Sequence, residues 1–188
     1  MAKALEEARQ APERVVLLFQ DESSFYRQPT QAWLWAYFGR QQPLLSYSHR
    51  SNTRLRVVGY LNAATGAFHS QDMSSVTVSR LARSVGRLSQ WYPQAECIYL
   101  VWDNWPNHTH PHVQQALANQ PRVKVLALPT YAPWLNPTEK VWRRIHQQVT
   151  HAHPWSDDFR EFRQHVRDHL ALLSSGSEEL LGYVGLST

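Results

Sequence analysis

Short runs of β-branched and aromatic residues dominate the early part of this chain, and helical spacing alternates with such runs later. A polar, helix-compatible lead-in over residues 3–13 precedes Arg14-Val-Val-Leu-Leu-Phe19, which has the length and character of a strand. Trp33–Phe38, ahead of Gly39, and Leu55–Leu61 read as further strands. The turn-like Asn62-Ala-Ala-Thr-Gly66 then leads to a fourth candidate around Ala67-Phe-His69. These segments predict antiparallel hairpin partners.

From Val76 to Trp91 the apolar positions Val78, Leu81, Val85 and Leu88 recur every three or four residues, which predicts an amphipathic helix. Arg80, Arg83 and Arg87 lie elsewhere on its turns. The order then becomes strand 97–102, helix 111–119, strand 123–128 and helix 137–149, as parallel strands joined by crossovers require. A last helix, 156–173, is expected to close the chain. No repeat, low-complexity tract or long linker interrupts the pattern. The 188 residues, 43% of them hydrophobic, are therefore expected to form one α/β domain with one substantial core.

Composition narrows the setting. A formal charge of +4 is compatible with an anionic partner without demanding one. Cys97, the single cysteine, excludes an internal disulfide framework, and its place in the apolar run Cys97–Trp102 predicts a buried, reduced thiol. No apolar run approaches the roughly 18 residues of a membrane span, and the N-terminus is charged rather than signal-like. A soluble cytoplasmic protein with no membrane partner is expected.

Three carboxylates stand at the ends of predicted elements. Asp21 is the first acid after the run ending at Phe19, and Asp103 the first after the run ending at Trp102. Functional groups collect at the carboxyl ends of strands in open sheets, and adjacent strands would bring these two aspartates together. Each also has a structural reading, because Asp is common in turns and Asp103-Asn104 with Pro106 and Asn107 is good turn chemistry. Asn136-Pro137-Thr138-Glu139 reads as a capping box, with Asn at the cap, Pro first in the helix and Glu third. Arg143, one turn on, is a possible ion-pair partner for Glu139. Helix chemistry alone makes Glu139 structural. Taken together, two aspartates and a glutamate suit hard divalent cations, and two such ions some 3.5–4 Å apart can serve phosphoryl transfer.

Three blocks carry a resemblance to a known family. They are Gln20-Asp-Glu-Ser-Ser-Phe25 with Trp33 and Gly39, then Val101-Trp-Asp-Asn104 with His108, and Leu128-Pro-Thr-Tyr-Ala-Pro-Trp-Leu-Asn-Pro-Thr-Glu139 with Trp142. The sequence resembles the DDE transposases of the mariner-like superfamily and their bacterial insertion-sequence relatives, whose third block reads LPxYSPxLNPxExxW. Thirty-five residues separate Asp103 from Glu139, near the short spacing of that superfamily.

The resemblance, spanning about residues 14–150, implies an RNase H-like fold: a mixed five-stranded sheet with an antiparallel hairpin part and helices on both faces. It implies Asp21, Asp103 and Glu139 as ligands of two magnesium ions, with manganese as a substitute. Glu22, Asn104, His108 and Asn136 would support those acids without binding the ions. The implied reaction is hydrolysis at transposon ends, followed by attack of the exposed 3′-hydroxyl on target DNA, in a bacterial cytoplasm. A homodimer and a TA target are inherited expectations. Family members carry helix-turn-helix modules ahead of the catalytic domain, whereas some 13 residues precede the first strand here. That predicts either the catalytic part of a longer or split transposase, or a chain that acts with a separate helix-turn-helix DNA-binding chain or domain. The alternatives are a stand-alone nuclease of the same fold, and a non-catalytic DNA-binding or assembly factor derived from a transposase.

Secondary features add detail. His108, His110 and His112, and the pair His151 and His153, lack the partner spacing of a zinc site. Arg50, Arg54 and Arg56, with Lys140, Arg143 and Arg144 on the helix bearing Glu139, are expected to meet DNA phosphates. Trp105 and Trp134, in loops flanking the acids, are expected to offer stacking surfaces. For Arg80, Arg83 and Arg87 an ordinary solvated face is an equal alternative.

Overall fold

A computed structural model describes residues 1–31, 35, 37–39, 47–73, 77–130 and 132–187. Five strands form one mixed sheet: β1 (Val15–Tyr26), β2 (Arg54–Asn62), β3 (Phe68–Met73), β4 (Cys97–Trp102) and β5 (Val123–Ala127), in the order β3-β2-β1-β4-β5. β1, β2 and β3 pair antiparallel, while β4 runs parallel to β1 and β5 parallel to β4. The expected split into an antiparallel and a parallel part is therefore present.

Strand alternation sends side chains to two faces, each with its own apolar cluster. On one face Leu17, Phe19, Phe25, Val57 and Phe68 pack against α1 (Ala2–Gln10), α5 (Thr138–Ile145), α6 (Phe159–Leu172) and α7 (Glu178–Val184). On the other, Val16, Leu18, Val58, Tyr60 and Ile98 pack against α2 (Val78–Val85), α3 (Leu88–Trp91) and α4 (Pro111–Ala118). The single core expected from size is two clusters divided by the sheet.

Several boundaries depart from expectation for identifiable reasons. β1 continues past Phe19 to Tyr26 because β2 keeps pairing with it as far as Tyr26↔Arg54, so Asp21 lies inside a strand and not after one. The helix expected over 76–91 divides at Gly86-Arg87 into α2 and α3; Val76 lies outside the described residues. After Ile145 the helix bearing Glu139 widens into a π turn, His146–Thr150, where the Thr150 hydroxyl donates to the His146 carbonyl at 2.8 Å. The chain does not close with α6. Ser177 accepts the Leu180 N–H and starts α7, which Gly185 ends at φ +84°. Of the strand expected over 33–38, Trp33, Leu34 and Ala36 lie outside the described residues, and Trp35, Tyr37 and Phe38 join no strand.

Trp142 seats α5 on the sheet. Its ring lies edge-on to Phe25 at 6.0 Å and to Phe68 at 5.0 Å, and it fills the space above Gly59. A Cβ at residue 59 would come within 2.6 Å of Trp142 Cζ2 and closer still to Phe68. Replacing Gly59→Ala is expected to lower stability by about 1–3 kcal/mol through overpacking, read from urea unfolding. Wild-type stability in that variant would show that the tryptophan is not fixed there.

Candidate active site

The parallel pairing of β1 with β4 ends at Phe19↔Val101. Asp21 and Asp103 each lie two residues beyond that last pair, so the two aspartates stand level at one end of the sheet. Beyond Phe19 the β4 side of β1 is left open, and the start of α5 occupies it. The Asn136 side-chain amide donates to the Gln20 carbonyl at 2.9 Å, and the Thr138 hydroxyl donates to the Phe19 carbonyl at 3.2 Å. Asn136 Oδ1 in turn accepts the Thr138 N–H at 3.1 Å, which caps the helix. Asn136 and Thr138 are both buried. Glu139 is thereby mounted next to Asp21 by hydrogen bonds to the two residues that precede it.

Only half of the expected capping box forms. The Asn136 arm is present, but among the described residues Glu139 makes neither a return bond to the Asn136 N–H nor an ion pair with Arg143. Its exposed carboxylate acts on Asp21 instead. Burial pushes the Asp21 carboxyl up to about 8, with the negative charges of Glu139, Glu22 and Asp103 adding to the rise and a backbone N–H bond from Glu22 opposing it.

Asp103 is exposed and tightly oriented. Its Oδ1 accepts the Trp105 N–H at 3.0 Å and lies 3.2 Å from His108 Nδ1, which also reaches the Asp103 carbonyl at 2.9 Å. A carbonyl only accepts, so Nδ1 carries the proton. His108 is buried flat against Trp102 at 4.2 Å and edge-on to Trp105. It holds Asp103 from behind. Glu22 projects to the opposite sheet face from Asp21, accepts from Gln20 Nε2 at 2.8 Å and stands 3.8 Å from His108 Nε2. Asn104 bridges loops, donating to the Leu128 carbonyl and to Thr130 Oγ1. With Asp103, Trp105, Leu128, Pro129, Thr130 and Ala132 it lines a cavity of about 350 Å³ beside the acids.

Among the described residues no three His, Cys, Asp or Glu side chains form a closed set of metal ligands as they stand. The donor chemistry nevertheless fits a hard divalent cation. All three acids offer carboxylate oxygens, and like charge crowds a half-buried Asp21 in a way that a cation would offset.

The expected cationic residues divide. Lys140 donates to the Val184 carbonyl at 3.0 Å, and Arg144 pairs with Glu179 at 2.6 Å and lies over the Tyr183 ring, so both are committed to holding α7. Arg143 is exposed. Arg54 donates to the Tyr26 hydroxyl at 2.7 Å, and Arg56 follows on the same face of β2. Arg50 is exposed in the loop before β2. Trp134 is exposed in the 3-10 turn Pro133–Leu135, and Trp105 is half-buried. Tyr131 lies outside the described residues.

Comparison with known proteins identifies the family and the fold. A model of the DDE superfamily endonuclease family matches residues 16–163. The chain belongs to that family. This DDE superfamily member is 27% identical over 140 residues to an insertion element IS630 uncharacterized 39 kDa protein of Shigella sonnei, a match covering 74% of this chain and 40% of the relative. The chain thus spans less than half the length of that relative. Its fold is similar to the Mos1 mariner paired end complex with Mn, with a TM-score of 0.66 at 15% identity over 98% of this chain and 56% of that one. It is also similar to the catalytic domain of Mos1 mariner transposase, with a TM-score of 0.55 at 13% identity over 98% and 82% of the two chains. The fold is RNase H-like.

Sequence reasoning passed over Thr138 and Gln20. Thr138 sits between the cap residue and Glu139, where a hydroxyl reads as neutral filler; its burial is what reveals the bond to β1. Thr138→Val, which keeps shape but removes the hydroxyl's bond to the Phe19 carbonyl and leaves that carbonyl its place in the β2 ladder, is expected to lower stability by about 0.5–1.5 kcal/mol. Asn136→Ala is expected to lose at least as much, because cap and strand contact go together. Chemical unfolding checks both, and two neutral variants would mean that the helix start is not anchored through these groups.

Proposed function

We propose that this chain is the catalytic domain of a cut-and-paste DNA transposase, with residues 1–188 forming one domain. It cleaves DNA at transposon ends and joins the freed 3′-hydroxyl to target DNA. The observation that carries the reading is the placement of Asp21 and Asp103 level with each other at the end of the sheet where β1 and β4 part, with the helix bearing Glu139 tied to β1 just before Asp21.

Asp21, Asp103 and Glu139 would hold two magnesium ions, with manganese able to substitute. When bound, such ions polarise the scissile phosphate and acidify the attacking water or hydroxyl. The protein's own part is positional. His108 and the Trp105 N–H fix Asp103 through one carboxylate oxygen, and among the described residues the other has no protein partner. Asn136 and Thr138 fix the backbone that carries Glu139. Trp105 and Trp134 flank the acids and would stack on bases displaced from the duplex. Arg50, Arg54, Arg56 and Arg143 would neutralise phosphates.

Similarity to the Mos1 mariner paired end complex with Mn supports transposon ends as substrate and a divalent cation as the metal class. End recognition is assigned to a helix-turn-helix module beyond these residues, in the same or a separate chain, and the active unit to a homodimer in the bacterial cytoplasm. Among the described residues no helix is long and apolar enough to cross a membrane.

With magnesium, the wild type is expected to cut end-containing duplex DNA and to join pre-cut ends to a target plasmid. Asp103→Asn should abolish both while leaving the thermal unfolding midpoint close to wild type. Unchanged cleavage by that variant would sink the site assignment, and cutting without joining would convert the reading to a nuclease.

A further inference from the structure

A basic groove lies apart from the acids, at the open edge of the sheet. Arg80 and Arg83 on α2 and Arg87 just after it follow at three- and four-residue spacing, which makes them one stripe. Together with Ser70, Gln71, Asp72 and Met73 of β3 they line a cavity of about 430 Å³. Arg80 is half-buried, and Arg83 and Arg87 are exposed. Among the described residues none of the three makes an ion pair or a side-chain hydrogen bond. The carboxylate within reach, Asp72, is taken from the other face by Arg167, whose Nε donates to it at 2.6 Å. Gln71 Nε2 is buried in the wall and has no acceptor among the described residues. Three guanidiniums beside an amide donor have the donor chemistry of an anion site.

The groove's place in the sheet suits an extended polyanion. Asp21 is the cross-strand partner of Gly59, and Gly59 of Ser70, so Ser70 stands level with Asp21. Two strand spacings of about 4.8 Å put that edge roughly 10 Å from β1, about three phosphate steps along one strand of a duplex. Arg56 bridges the interval: it pairs with Ser24 of β1 and with Met73 of β3, on the sheet face that carries Gln71. An added peptide strand is a poorer occupant. The Phe68 N–H on the outer edge is already taken by the Leu173 carbonyl at 2.9 Å, which leaves only Ser70 and Asp72 to pair, and the arginines lie on the helix side of the groove.

We infer that Arg80, Arg83, Arg87 and Gln71 seat the phosphodiester backbone of DNA, in a tract that Arg54 and Arg56 extend across the same sheet face toward β1. The identity of the anion rests on the transposase reading; the anion site itself rests on the groove. The test is binding of a fluorescent duplex to the full chain in EDTA, across a salt series. The combined variant Arg80→Gln, Arg83→Gln, Arg87→Gln is expected to bind at least about tenfold more weakly near 0.1 M salt. Its log-log salt slope should be shallower by about 2–3, at roughly 0.9 per lost phosphate contact. Arg83→Glu, at an exposed position where folding is not at stake, should alone reduce affinity and flatten the slope by about 1. Wild-type affinity and slope in Arg83→Glu, or no duplex binding by the wild type, would overturn the inference. Polyglutamate that competes as well as duplex at equal charge would overturn the assignment to DNA. Because no metal or cleavage enters this measurement, failure of the catalytic reading would appear separately, as unimpaired cleavage by Asp103→Asn.

Discussion

Everything at the candidate site depends on where the helix bearing Glu139 is tied to β1. Once β4 leaves β1 after Phe19, the Gln20 carbonyl on the vacated side needs a new partner, since buried backbone acceptors left unpaired are costly. Asn136 supplies it, and Thr138 adds a bond to the neighbouring Phe19 carbonyl. The same pair of bonds that ties the helix start to the strand also sets the position of the following residue, Glu139. Strand satisfaction and site geometry are therefore one constraint, and the tryptophan one turn further on holds the helix against Gly59 so that the constraint is not loosened by rocking.

That arrangement concentrates negative charge. An isolated half-buried carboxylate with three acidic neighbours is unfavourable in its ionised form, which is why Asp21 titrates far above the usual carboxylate range. Folded proteins tolerate such crowding where function supplies a counter-charge, and the surrounding polar bonds are consistent with this. His108 and the Trp105 N–H both engage one oxygen of Asp103, while Glu139 has no protein partner among the described residues. His108 reaches the Asp103 carboxylate directly, and its stacking on Trp102 explains its burial.

Periodicity made the sheet and most helices legible, because two-residue and 3.6-residue patterns are local. Partner-dependent features were not. Nothing within residues 20–26 says that β2 will keep pairing there, so β1 was read as ending before Asp21. Neither does any local pattern say which cations are free. Lys140 and Arg144 share a helix with Glu139 and looked like DNA contacts, yet they are bound to α7, a helix whose capping serine and terminal glycine are weak signals in a polar tail. Arg80, Arg83 and Arg87 looked like any solvated face. What distinguishes them is the tertiary fact that Arg167 already occupies the nearby carboxylate.

The capping box shows how a local rule and a tertiary need can share four residues. In an isolated helix, the glutamate arm of a capping box earns its place by bonding the cap N–H. Here the helix start is already held by the Asn136 cap and by two bonds to β1, so that arm adds little to an anchored end. Freed from the cap, Glu139 keeps its carboxylate available beside Asp21 while remaining fixed to the first turn. A box closed on itself would have withdrawn that charge from the sheet end, and a helix lacking the Asn and Thr bonds would have left it unplaced.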